Sequence, residues 1–115
     1  MKKAVFKFHA VCGRMGQLDG VLISTQEKVD KLIESKIVVY FGDVLGKHSE
    51  IRGEIERKDI TMITDNEEVV RIVEKYELTS GFNPFEYTAI DFEMDGCDVD
   101  MEVGEIIDKL LERES

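Results

Sequence analysis

Asp95-Gly96 stands at the centre of a stretch, residues 90–101, in which apolar and acidic side chains alternate on both sides of the pair. Glycine takes positive φ without steric cost and aspartate tolerates it, so Asp-Gly between two alternating arms signals a two-residue β-hairpin turn. The register follows from the turn. Met94 faces Cys97, Phe92 faces Val99 and Ile90 faces Met101 on an apolar side, while Glu93 faces Asp98 and Asp91 faces Asp100 on the other. A period of two commits the segment to strands, because successive strand residues point to opposite faces. Like charges set directly opposite one another destabilise an antiparallel pair, so the acidic side costs stability.

The same residues also carry a second spacing. Asp91, Glu93, Asp95 and Glu102 fall at positions 1, 3, 5 and 12 of a twelve-residue loop with Gly96 at position 6, and Val103, Ile106, Ile107 and Leu110 follow at helical spacing. In that order the stretch resembles the calcium loop of the EF-hand family, which surrounds Ca²⁺ with six to eight oxygens and closes with a bidentate Glu. The resemblance covers these twelve residues and the helix after them, and implies a site closed by Glu102. The stretch departs from the family at Glu93, where Asp or Asn is usual, and at Asp98, where an aliphatic residue pairs with a second loop. The chain contains no second loop. A calcium loop has no need of strict alternation, so the hairpin is the reading carried forward and the metal stays open.

Length and charge bound the rest. A chain of 115 residues fits a single compact domain, 1–115, large enough to bury a core, and at 43% hydrophobic it is globular rather than disordered. Residues 1–58 hold 11 Lys and Arg against 8 Asp and Glu, net +3, whereas residues 59–115 hold 4 against 17, net −13, which together give −10. Between Glu86 and Asp108 there are nine carboxylates and no base. Such a surface repels phosphate backbones, which argues against direct nucleic-acid binding and for a cationic protein partner. Lys7 interrupts the apolar run after Met1-Lys2-Lys3, so no signal peptide is expected, and no stretch approaches a membrane span. Two cysteines, Cys12 and Cys97, make no disulfide framework, and a cytoplasmic setting with reduced thiols follows.

In chain order, Lys3–Val11 alternates as a strand with Ala4, Phe6, Phe8 and Ala10 on one face, and Leu18–Ser24 is its hairpin partner across the Gly-containing turn 12–16. Thr25 is a good N-cap for a helix from Gln26 to Ser35 with Val29, Leu32 and Ile33 on its apolar stripe. Ile37-Val38-Val39-Tyr40-Phe41 is an unbroken β-forming run, expected as a central strand buried on both faces. It should turn back through Gly46-Lys47-His48-Ser49 into residues 50–56. Ile60–Ile63 is a short strand, and Thr64 or Asp65 should cap a helix from Asp65 to Glu77 that turns Val69, Ile72, Val73 and Tyr76 to the core. Residues 79–84 read as a loop, Phe82, Phe85 and Tyr87 as its packing onto the core, and Val103–Arg113 as a closing helix. Strands that come in hairpins rather than singly between helices predict an α+β fold, with a mainly antiparallel sheet of five to seven short strands and three helices.

Chemical motifs are few. Gly46-Lys47 fails as a phosphate loop because Phe41 stands where the first glycine belongs, and His48 where Ser or Thr belongs. Neither His9 nor His48 has the local spacing to Cys12 or Cys97 that a zinc site or a nucleophilic dyad needs. No cofactor is expected and no reaction can be named, so an enzyme is the less favoured class. Two functional expectations follow. The first is a small acidic interaction or inhibitor protein that presents Asp91, Glu93, Asp98 and Asp100 to a basic partner, for example a nucleic-acid-binding protein. Same-face residues on a strand repeat about every 6.6 Å, close to the phosphate spacing such a protein is built to meet. The alternative is an anionic-ligand protein, for a nucleotide or phosphate, using Arg14, Lys47, His48 and Ser49 from polar turns. Self-association is left open by the sequence.

Overall fold

A computed structural model of the chain describes residues 2–11, 16–42, 50–90, 93–94, 97–98 and 101–114, with residues 93–94, 97–98 and 114 described through their backbone. The first two strands, β1 (Lys3–Val11) and β2 (Gln17–Thr25), pair antiparallel along their whole length, from Lys3↔Thr25 to Val11↔Gln17. Their alternation gives the sheet two faces: Ala4, Phe6, Phe8, Leu18 and Leu22 are buried on one, and Val5, Val21 and Ile23 lie on the other. The chain passes directly into α1 (Gln26–Ser35), where the Thr25 hydroxyl accepts the Lys28 N–H at 3.2 Å and Lys36 ends the helix with φ 55°. Val29 and Leu32 carry its buried stripe.

Next come β3 (Val38–Gly42) and β4 (Ile51–Glu54), an antiparallel pair whose connecting residues 43–49 lie outside the described residues. β3 is central in its sheet, as its composition predicts, but it is not buried on both faces. Val39 and Phe41 are buried while Val38 and Tyr40 are half-buried, because only one face of this sheet turns to the core. A single 3-10 turn, Arg57–Asp59, follows, braced by the Asp59 carboxylate accepting the Glu56 N–H at 2.9 Å.

β5 (Ile60–Thr64) joins the outer side of β1, with one extra residue, Ile63, between the Val5↔Thr64 and Phe6↔Met62 pairs. The helix α2 (Glu67–Lys75) is capped by Asn66, whose side-chain oxygen accepts the N–H groups of Glu68 and Val69 at 2.9 and 3.2 Å. Neither Thr64 nor Asp65 is the cap. The Thr64 hydroxyl instead accepts the Asn66 N–H at 3.1 Å and sets up the turn before it, so the helix begins later than the sequence suggests. Its orientation is also corrected. Val70 and Val73 are buried against Val5, Val21 and Ile23, whereas Val69, Ile72 and Tyr76 are exposed.

β6 (Ser80–Gly81) pairs with Gly20 and Val21 of β2 where a loop was expected, completing a sheet in the order β5-β1-β2-β6. The approach is close: a Cβ on Gly20 would strike the carbonyl of Phe82, and one on Gly81, whose φ is +69°, would strike that of Asp19. After a 3-10 turn at 84–86, β7 (Thr88–Ile90) pairs with β3, giving the second sheet the order β4-β3-β7. Two short strands, β8 (Glu93–Met94) and β9 (Cys97–Asp98), form a separate ribbon, and α3 (Val103–Glu114) closes the fold.

The fold is α+β with all sheet pairing antiparallel, divided into two sheets and a ribbon rather than one sheet. One core lies between the inner face of the β1–β2 sheet and β3, α1 and α3, and Phe8 stacks on Phe41 there with ring centroids 5.9 Å apart. Phe85 is buried in it and Phe82 and Tyr87 pack against it, as their spacing predicts. A separate satellite of Val5, Val70 and Val73 lies under α2. Among the described residues no helix is long and apolar enough to cross a membrane.

Candidate functional site

The acidic stretch is positioned by the second sheet. β7 is the edge strand there, and the chain returns beside it, with the Ala89 N–H donating to the Met101 carbonyl at 3.0 Å and Thr88 bridging antiparallel to Glu102. Between these two segments in sequence lies the ribbon, in which Glu93 pairs with Asp98 and Met94 with Cys97. That is the register set by an Asp95-Gly96 turn. The ribbon's register, counted back, would set Glu102 opposite Ala89; it bridges Thr88 instead, so the two registers differ by one residue.

Of the four residues assigned to partner binding, Glu93 and Asp98 are partners in the backbone ladder, while Asp91 and Asp100 lie outside the described residues. Around the base of the ribbon Glu86, Glu102, Glu105 and Asp108 are all exposed. Asp108 meets one base from elsewhere, Lys28 of α1, at 3.4 Å. Tyr87, packed at 4.7 Å between ring centroids on Phe41, anchors the strand that leads to the ribbon. Burial pushes its phenol above the usual 10.0, and the neighbouring Glu86 carboxylate adds to the shift.

A second feature was invisible in the sequence. A cleft of about 350 Å³ opens between the end of β1 and β4, floored by Leu18, Phe41, Ile51 and Ile55. At its rim His9 Nδ1 and Asp19 Oδ1, opposed across β1 and β2, lie 2.5 Å apart, and Arg52, Lys58, Glu54, Glu56 and Asp59 line the other side. The acidic groups outnumber the basic ones, Arg52 and Lys58 standing against Asp19, Glu54, Glu56 and Asp59. Lys58 is held by Glu56 at 3.2 Å, and Arg57 turns away to Asp30 on α1, whose carboxyl this hydrogen bond holds below its usual 3.8. These residues come from strands distant in sequence, and no local spacing announces them. Arg14, Lys47, His48 and Ser49 lie outside the described residues, as does Cys12. Val11 lines this cleft as well.

Among the described residues no group of three or more His, Cys, Asp or Glu side chains is placed to hold a metal ion. Comparison of the chain with protein-family models, curated proteins and solved structures finds no match in any of the three.

Proposed function

We propose that this chain is a small non-enzymatic interaction protein, acting as an inhibitor or adaptor, whose acidic ribbon docks on a basic protein surface. The observation that carries the reading is the pairing of Glu93 with Asp98 in a two-stranded ribbon separate from the two main sheets. An opposed pair of carboxylates weakens the ribbon by itself, and a cation between or above them offsets the repulsion. Exposed carboxylates at Glu86, Glu102 and Glu105 extend the same negative field around the base of the ribbon. Charge complementarity of this kind accelerates encounter and selects partners more than it deepens affinity. A protein surface built to hold phosphates supplies the matching array of bases, so a nucleic-acid-binding protein is the partner class that fits. The cleft beside His9, where carboxylates outnumber Arg52 and Lys58, gives no comparable bias toward an anion.

The decisive experiment uses charge reversal that leaves the ribbon's own energetics alone. Glu93→Lys with Asp98→Lys keeps a like-charged pair, so stability should be unchanged. Capture of basic proteins from a cell lysate at low salt should nevertheless be lost. Glu93→Lys alone creates an opposite-charge pair and should stabilise the fold by about 0.2–1 kcal/mol. Captured proteins that are not basic, or capture that survives both reversal and high salt, would refute the proposal.

A further inference from the structure

β4 is the edge strand of the second sheet, paired on one side with β3 and on the other with nothing among the described residues. The cleft beside His9 is lined by five consecutive residues of this edge, 51–55. Successive strand residues point to opposite faces, so a cleft that touches each of them in turn runs along the strand's open edge rather than over one face. Its far wall is His9, Ala10 and Val11, past Phe8↔Ile60, where the pairing of β1 with β5 ends. Gly53 stands in the middle of the edge. Its φ is not positive, and no atom lies within 4 Å of where a Cβ would be, so neither backbone conformation nor a close neighbour requires glycine there. Gly20 and Gly81 differ, each lying against backbone that a Cβ would strike. A glycine inside a strand weakens it and often marks the approach of a ligand or of another backbone. Val39, its partner on β3, and Ile51 and Ile55 on either side are all buried, so the missing side chain leaves a hole in the inner, apolar face of β4.

We propose that this cleft takes an extended peptide segment of a partner protein, added antiparallel to β4 as a further strand. Strand addition draws affinity from main-chain hydrogen bonds and specificity from pockets for alternate side chains. An aromatic residue on a neighbouring strand covers an edge glycine, and Val39 on β3 does not supply one. The residue placed opposite Gly53 is therefore aromatic, and its ring enters the hole towards Phe41. Arg52 and Glu54 alternate with the buried residues, are exposed, and make no ion pair among the described residues. Opposite charges set across from one another stabilise a strand pair, so the segment carries a basic residue opposite Glu54 and an acidic one opposite Arg52. Read antiparallel, its order is apolar, basic, aromatic, acidic, apolar, with the two outer residues facing Ile55 and Ile51. No described residue of the acidic ribbon lines the cleft, so binding here does not depend on Glu93 or Asp98.

The test is titration of the full, isotope-labelled chain with the peptide acetyl-Val-Lys-Phe-Glu-Val-amide up to millimolar concentration, read from amide shifts in nuclear magnetic resonance. The expected result is saturable shifts centred on residues 51–55 and 9–11. The same peptide with its Lys and Glu exchanged has the same net charge and should bind about threefold more weakly or worse, because both cross-strand pairs become like-charged. Arg52→Glu with Glu54→Arg should invert that preference, which a loss of structure would not do. Replacing the peptide's Phe by Ala should weaken binding about tenfold. Gly53→Val, which fills the hole from the protein's side, should do the same with circular dichroism unchanged. If Gly53→Val disturbs the fold, Gly53→Ala takes its place, with about a threefold loss expected. Glu93→Lys with Asp98→Lys should leave peptide affinity unchanged, so this proposal and that for the ribbon fail separately. The proposal is overturned by an absence of saturable shifts at millimolar peptide or by shifts centred elsewhere. It is equally overturned by a charge preference that the double reversal leaves in place, or by a folded Gly53 variant that binds as the parent does.

Discussion

Substituting Gly20 by alanine tests whether the β2–β6 crossing is held by backbone contact. The new methyl would occupy the space of the Phe82 carbonyl, so the 80–82 segment must move away from β2. The movement breaks the hydrogen bond from the Phe82 N–H to the Asp19 carbonyl, 3.0 Å long, and disturbs the Gly20↔Gly81 and Val21↔Ser80 pairs. At about 0.5–1.5 kcal/mol net for each backbone bond lost, and about two bonds lost, the cost is about 1–3 kcal/mol. Gly81→Ala meets the same obstruction and adds about 1–2 kcal/mol for a side chain held at positive φ. Gly53 has no atom within 4 Å of an added Cβ, so Gly53→Ala is the control and should stay within about 0.5 kcal/mol of the parent. Urea unfolding followed by far-ultraviolet circular dichroism gives all three values. If Gly20→Ala unfolds at the same midpoint as Gly53→Ala, the crossing is not a backbone contact and the account of β6 fails.

Two further outcomes follow from single side chains. Asp30 has its carboxyl held below 3.8 by Arg57, so the pair contributes stability above that pH and loses it as pH falls through the lowered value. Because the two side chains are 39% and 60% exposed, Asp30→Asn should cost only about 0.2–1 kcal/mol at neutral pH. That difference should vanish well below pH 3.8, and a urea-midpoint difference that persisted in acid would show that Arg57 is not its cause. For the acidic ribbon, calorimetric titration with Ca²⁺ over a Mg²⁺ background should show no specific site in the sensor range of roughly 10⁻⁷–10⁻⁵ M, before or after Glu102→Gln. A one-to-one isotherm abolished by that substitution would mean that residues 91–102 close around an ion.

How far the sequence could be read depended on whether a segment's neighbours were local. The β1–β2 hairpin, α1 and α3 were legible because period and capping agree: Thr25 caps α1 as its position predicts, and Ile106 and Ile107 are buried as their spacing predicts. The ribbon was legible because an Asp-Gly turn fixes register within a few residues. α2 was misread because its apolar residues support two faces. The stripe of Val69, Ile72, Val73 and Tyr76 is the broader, but the sheet offers only a small apolar patch at Val5, Val21 and Ile23, which Val70 and Val73 fill. β6 was missed because Ser80-Gly81 has no strand propensity, and its pairing exists only where two glycines let distant backbones touch. The cleft beside His9 was illegible for the same reason, since its walls join β1, β2, β4 and the turn at 57–59.

The division between the main core and the satellite under α2 has a consequence for how the molecule comes apart. Among the described residues, eighteen buried ones tie β1, β2, α1, β3 and α3 into one body, whereas α2 is fastened through Val70 and Val73 on Val5. Segments with few buried contacts open in partial unfolding events well below the global free energy. α2 is therefore held by fewer buried residues than the main body, and its contacts leave Phe6 and Phe8, which point to the other side of the same strand, untouched. Lifting α2 bares Val5, Val21 and Ile23 while the rest of the chain stays native. β1 thus serves as a party wall between a permanent interior and a removable one.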